Sequence, residues 1–199
     1  MTVILGLTGS IATGKSTVSK IFKEQGFPVV DADLGAREVV KPGTEGLCEI
    51  KKQFGDNVIL ADGTLNREAL GKIVFKDEKQ REKLNAILSK RIYKWLMDQK
   101  KECLKRDHAI LVLDIPLLFE AGYEKEVNQV MVVATSKEIQ IDRLMKRDMI
   151  GKEEAIQKIN SQLPISEKVV LGDSVIDNSG STEHTKQQVL KWIDKITAK

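Results

Sequence analysis

The run Gly9-Ser10-Ile11-Ala12-Thr13-Gly14-Lys15-Ser16 has the spacing of a loop that wraps phosphate: two glycines separated by four residues, then a lysine and a hydroxyl. Each residue type has a task in such a loop. Glycines let backbone N–H groups close around phosphate oxygens, and a helix starting at the second glycine turns its positive end on them. Lys15 reaches the β and γ phosphates of a nucleoside triphosphate, and the Ser16 hydroxyl can bind Mg²⁺. With Thr17 completing the first helical turn, Gly9 to Thr17 forms one contiguous phosphate-binding stretch.

Carboxylates and arginines further along suit transfer of the terminal phosphoryl group. Asp31 and Asp33 stand in a D-A-D triplet after an apolar run, where one can accept a proton from an attacking hydroxyl and the other can cap the following helix. Asp114 closes the apolar run AILVLD, the place from which an acid reaches a metal beside Ser16. Arg143 and Arg147 are four apart and share one helical face, from which they can either neutralise transferring phosphate or only face solvent. Asp173, Asp177 and Asn178 in GDSVIDNSG fit either a base-holding segment or a simple turn. His108 and His184 are isolated and carry no chemistry, and Trp95 and Trp192 lie on apolar helical faces as core residues.

The elements that must position these groups follow from the apolar pattern. Residues 2–7 read as a strand feeding the glycine loop, and 14–25 as a helix with Val18, Ile21 and Phe22 on one face, stopped at Gly26. Residues 27–31, 109–114, 127–134 and 174–176 read as four more strands. Continuous apolar runs imply burial on both faces, hence a parallel sheet covered by helices. Thr135 to Glu138 (TSKE) has the form of a capping box before Ile139, and the last helix places Val189, Trp192, Ile193 and Ile196 together. The expected fold is an α/β three-layer sandwich around a parallel five-stranded sheet. Its core comprises residues 1–33, 107–139 and 164–199, with a helical insertion at 34–106 and a short lid at 140–163.

Composition narrows the classes further. The chain has 199 residues, 41% of them hydrophobic, with net charge +3, which fits a globular domain and gives no strong pull toward nucleic acid or membrane. The surplus is local: residues 72–106 hold twelve basic and five acidic residues, many on a predicted helix over 78–105. A solvated helix face accounts for most of that charge, and an anion-facing surface is the alternative. Cys48 and Cys103 are far apart, with no metal-ligand spacing. No signal peptide is recognised, and the longest apolar run is too short to span a bilayer. A cytoplasmic protein without a membrane or nucleic-acid partner is expected, as a monomer or weak homo-oligomer.

The chain also resembles the dephospho-coenzyme A kinase family of P-loop small-molecule kinases over nearly its whole length. The resemblance rests on GLTGSIATGKST, DAD, REVVKPGTEGL, FGDNVI, DGTLNREAL, LNAI, DIPLLFE at Asp114 to Glu120, QIDRLMKRD at Gln140 to Asp148, Ser161-Gln162 and DSVIDNSG. It implies transfer of the ATP γ-phosphoryl group to the ribose 3′-hydroxyl of dephospho-coenzyme A with Mg²⁺, and makes the insertion the acceptor domain. It further implies Asp33 as base, Lys15 and Arg143 on the transferring phosphate, Arg147 in or beside the lid and Asn178 near the adenine. Thr8, Asp31 and Leu117 are implied on the acceptor side, and Ser16 with Asp114 at the metal. Three positions depart from the usual pattern: Ser10 replaces a common glycine, Ser89-Lys90 a His-Pro, and Lys158 an arginine.

Other readings are weaker. A kinase resembling shikimate kinase would share the loop and the Asp-x-Asp, but the long basic insertion favours a larger acceptor. A GTP-dependent switch would need Asn-Lys-x-Asp, which is absent. A nucleic-acid-dependent ATPase lacks a basic patch interleaved with aromatics.

Overall fold

The computed structural model describes residues 2–198. Five strands, β1 (Val3–Gly9), β2 (Val29–Asp31), β3 (Ile110–Asp114), β4 (Gln129–Ala134) and β5 (Ser174–Asp177), form one parallel sheet in the order β2-β3-β1-β4-β5. In register, Leu7 lies opposite Asp114 on β3 and Met131 on β4. At the β2 side, Val112 donates its N–H to the Pro28 carbonyl at 3.0 Å. This order puts β1 at the centre, and its carboxyl end, where the glycine loop begins, beside the carboxyl end of β3. That is where open parallel sheets take ligands.

The apolar runs do what two-sided burial requires. Every residue of β3 is buried, and Leu5, Leu7, Met131 and Val133 form a core with Val18, Ile21 and Phe22 of α1 (Lys15–Glu24) and Val189 and Ile193 of α9 (Thr182–Thr197). Trp192 packs edge-on against Phe22 with ring centroids 6.0 Å apart, so it is a core residue, as its helical face suggests. Between β4 and β5 run α6 (Lys137–Asp148), α7 (Lys152–Asn160) and α8 (Ile165–Leu171). Leu144, Ala155 and Ile159 close a separate small core there with Ile11 and Ala12 of the loop. The cap of α6 differs by one residue from the expected box. Ser136, rather than Thr135, accepts from the Ile139 N–H, while the Thr135 hydroxyl bonds Ser179 across to the end of β5.

Residues group into two compact units, Met1–Val30 with Glu102–Lys199, and Asp31–Lys101. The second is helical: α2 (Ala32–Glu38), α3 (Glu45–Phe54), α4 (Arg67–Lys76) and most of α5 (Glu78–Cys103). Its core is built from Val39, Val40, Ile50, Val58 and Leu70, with Leu84, Ile87, Leu88, Ile92 and Trp95 of α5 packed on it. Arg91 ties α5 to α3 through Glu45 and Glu49, the latter at 2.6 Å. The basic residues occupy the remaining, largely exposed positions of α5, the solvated face that the pattern suggests. Helix α5 runs unbroken through Ser89 and Lys90, because Lys90 supplies the backbone N–H that a proline there would lack.

Candidate active site

The glycine loop is built by contacts that leave no room for larger residues. A Cβ on Gly9 would come within 2.6 Å of Thr13 Oγ1 and 2.8 Å of the Val133 carbonyl. Gly14 sits at φ +87°, and a Cβ there would collide with the Asn178 amide nitrogen at 1.9 Å. Ala12 also adopts positive φ (61°), a conformation costing a non-glycine residue about 1–2 kcal/mol, which the closed loop enforces. Ser10 is not among the positive-φ residues, so it replaces a glycine without strain. Its carbonyl accepts both the Thr13 N–H (3.2 Å) and the Thr13 hydroxyl (2.8 Å), which folds the loop back on itself.

Helix α1 starts at Lys15 with Gly14 as its N-cap and no side-chain cap, so its first N–H groups and dipole are presented at the loop. No acidic residue lies in that first turn to compete with an anion. The Lys15 ammonium pairs with Asp114, which is buried at the end of β3, and Ser16 is exposed. The loop therefore carries an ammonium paired with a buried carboxylate, with the Ser16 hydroxyl next in sequence, residue types that can serve a triphosphate with its metal. Among the described residues no cluster of three or more His, Cys, Asp or Glu could hold a metal by itself.

Asn178 and Arg143 form the opposite wall. The Asn178 side chain is buried, donating from Nδ2 to the Thr13 carbonyl (2.8 Å) and accepting at Oδ1 from the Thr185 hydroxyl (2.8 Å). Its backbone N–H bonds the Ala134 carbonyl, and its own carbonyl accepts from Arg143 Nη2 at 2.9 Å. The guanidinium is held so close to the loop that Nη1 lies 3.7 Å from the position of a Cβ on Gly14. Every polar group of Asn178 is therefore engaged in joining the loop, β4, α9 and the arginine. Arg147, one turn on, is separate: it is exposed and binds Asp148 at 2.8 Å, an anion that Lys158 also approaches at 3.5 Å. Arg147 foremost, then Lys158, hold the Asp148 carboxyl below the usual carboxylate range. Lys158, in the place of an arginine, has its own acidity weakened mainly by the bond to Glu154 (3.2 Å).

Thr8 is fully buried, and its hydroxyl donates to the Pro116 carbonyl at 3.1 Å, so it fixes the segment after β3. Leu117 of that segment is 44% exposed. In the helical unit, Asp31 is the cap of α2, accepting from the N–H groups of Asp33 (2.8 Å) and Leu34 (3.4 Å). That decides which of the two aspartates caps, and leaves Asp33 as the exposed carboxylate in the first turn of α2.

Several residues around the loop escape a reading of the sequence. Gln140, buried in α6, donates to the Ile11 carbonyl (2.8 Å), and Gln162 accepts the Ile11 N–H (2.8 Å). Lys168 of α8 is wholly buried beneath Gly9 and Pro116. The first two stand inside stretches whose family likeness was visible, but nothing in their type announced a loop contact.

The family model described as CoaE, dephospho-CoA kinase, matches residues 3–184. The chain belongs to the dephospho-CoA kinase family. Dephospho-CoA kinase of Listeria monocytogenes is 49% identical over 192 residues, 96% of either chain, and that of Enterococcus faecalis is 45% identical over the full length of both. Among solved structures, dephospho-CoA kinase from Campylobacter jejuni superposes with a TM-score of 0.78 at 30% identity, covering 100% of this chain and 98% of that one. A Thermus thermophilus protein gives 0.81 at 30% identity, with 96% and 95% covered. Shikimate kinase from Bacteroides thetaiotaomicron, at 0.53 and 12% identity over 99% of each chain, shares the fold alone. A dephospho-CoA kinase is a phosphotransferase.

Proposed function

We propose that the chain transfers the γ-phosphoryl group of ATP to the ribose 3′-hydroxyl of dephospho-coenzyme A, with Asp33 as the acceptor's base. Membership of the dephospho-CoA kinase family makes it an ATP-dependent kinase of coenzyme A biosynthesis. The observation that carries the assignment of roles is the convergence on one loop of the open α1 N-terminus, the Lys15–Asp114 pair and the Arg143 guanidinium.

The roles follow from charge. The loop N–H groups bind the phosphate chain, and Lys15 and Arg143 meet negative charge on the transferring group from two sides. Ser16 and Asp114 would hold Mg²⁺, which supplies neutralisation of the β and γ oxygens when bound. The pairing with Asp114 orients Lys15 beside the loop. Asp33 accepts the proton of the attacking hydroxyl, its backbone fixed by the Asp31 cap. Asp31 thus contributes by positioning, Thr8 by holding the Pro116 segment, and Leu117 by offering an apolar surface to the acceptor. Asn178, with its side chain occupied, sets the wall beside which the adenine is bound. Arg147 leaves Asp148 to join the nucleotide when the lid of residues 140–163 closes. The helical unit serves as the acceptor domain.

The reading places the enzyme in the cytoplasm, where two free cysteines stay reduced, as a monomer or weak homo-oligomer. The test is Asp33→Asn: kcat should fall by about 10²-fold or more, with ATP affinity unchanged within roughly twofold. Turnover equal to that of the parent enzyme removes Asp33 from the role of base.

A further inference from the structure

We infer that Lys168 is a positioning residue of the phosphate loop, the central tie in a buried network that fixes the loop's entrance against the segment following Asp114. The inference rests on the kinase reading and adds to it a residue that touches neither nucleotide nor acceptor. Lys168 is 0% exposed, an unusual state for an ammonium, which tolerates burial only when fully bonded. Its three N–H groups have three acceptors on two separate pieces of chain, the loop entrance and the segment after β3. They are the Gly9 carbonyl at 3.4 Å, the Pro116 carbonyl at 3.1 Å and the Glu120 carboxylate at 2.8 Å.

The same partners are tied again from other directions. Pro116 O also accepts from Thr8, and Glu120 Oε1 accepts the Leu163 N–H at 3.1 Å. The Leu163 carbonyl accepts from Ser10 Oγ at 3.3 Å, and the neighbouring Gln162 accepts from the Ile11 N–H. The chain of bonds therefore closes on itself: loop entrance, Lys168, Glu120, Leu163 and back to the loop. Gly9 and Ser10 lead directly into the residues that bind phosphate, and Pro116 lies two residues from Asp114. Displacing either by a fraction of an ångström changes where Lys15, Ser16 and Asp114 meet the triphosphate, and misplacement of about 1 Å can cost 10²-fold in rate.

A lysine serving stability alone would look similar in a static structure, so the test separates the two roles. Glu120→Gln, Lys168→Met and the double variant Lys168→Met/Glu120→Gln are compared with the parent enzyme for melting temperature, ATP and dephospho-coenzyme A affinity by calorimetry, and kcat. The double variant removes the buried ammonium together with its carboxylate partner and leaves no unpaired charge, so it recovers part of the stability lost by Lys168→Met and stays measurable where the single variant does not fold. Positioning requires that it nonetheless binds ATP at least about fivefold more weakly and turns over at least about tenfold more slowly. Glu120→Gln takes the anionic partner from a wholly buried ammonium but leaves an amide oxygen to accept its bond, so it should lower the melting temperature and lose about threefold or more in kcat. ATP affinity and kcat within about twofold of the parent in the double variant, or kcat returning in step with the melting temperature, overturns the inference. A parent enzyme that binds ATP but makes no product would instead count against the kinase reading, while the ATP-affinity comparison would still decide the role of Lys168.

Discussion

Asn178→Ala is the most informative single perturbation of the loop, because its consequences can be worked from bonds already described. Truncation deletes the bond to the Thr13 carbonyl and the bond from the Thr185 hydroxyl, both 2.8 Å and both buried. Each is worth about 1 kcal/mol net, and leaving the buried Thr13 carbonyl unsatisfied adds about 1 kcal/mol more. Thr185 retains the Ser181 carbonyl at 3.3 Å and so adds little. The sum is about 3 kcal/mol, which for a chain of this length lowers the melting temperature by roughly 6–12 °C. Arg143 bonds the backbone carbonyl of Asn178, which survives truncation, so its placement should be the less affected. The loss falls on the loop: ATP affinity should weaken by about tenfold, measured by calorimetry beside thermal melts of the same samples. Thr185→Val, which removes one bond, leaves the buried Asn178 Oδ1 without its donor and keeps the amide's grip on Thr13, should show about two thirds of the destabilisation. A melting temperature within about 2 °C of the parent, with unchanged ATP affinity, would refute the claim that this amide fastens the loop.

Two further outcomes follow from the same geometry. Lys15→Ala should reduce kcat by about 10²-fold or more and narrow the difference between ATP and ADP affinity, since the lysine acts at the β and γ phosphates; unchanged affinities together with unchanged turnover would remove it from the site. In a carboxyl NMR titration Asp148 should ionise below the ordinary carboxylate range, and Arg147→Ala should raise its pKa while Lys158 keeps it from returning fully. The stability this carboxylate contributes is complete above about pH 4 and is lost as pH falls through the lowered value. An Asp148 titration unmoved by Arg147→Ala would mean that the pair does not form in solution.

The fold was legible where burial and chemistry write the same letters. Two-sided burial explains the central runs, since strands covered on both faces admit few polar residues and β3 is buried at all five positions, whereas β5 at the sheet edge buries only Ile176 of its four residues. The phosphate loop was legible because Gly9 and Gly14 are demanded by contacts at 2.6 Å and 1.9 Å that no side chain survives. Asp31 and Asp33 were ambiguous from types alone, since an aspartate both caps helices and takes protons. Only the bond from the Asp33 N–H to Asp31 assigns the cap. Thr135 and Ser136 were equally interchangeable as caps of α6.

What stayed hidden was the shell behind the loop. Lys168 precedes Val169, Val170 and Leu171, and a lysine next to apolar residues ordinarily lays its stem on the surface and keeps its charge in water. Its full burial depends on Glu120 and the Pro116 and Gly9 carbonyls, which lie 48, 52 and 159 residues away in sequence. The family resemblance places Asn178 near the adenine, while its residue type alone fits either a base-holding segment or a turn; the bonds of its side chain to Thr13 and Thr185 have no signature in spacing.

The central claim is tested most directly by incubating the chain with MgATP and dephospho-coenzyme A and locating the new phosphate on the product by ³¹P NMR, with adenosine, AMP, shikimate and water as alternative acceptors. The account predicts one ADP released per ribose 3′-phosphate formed, with the alternative acceptors near background. ADP release without acceptor, or phosphate delivered to another position or another acceptor in preference, would contradict it.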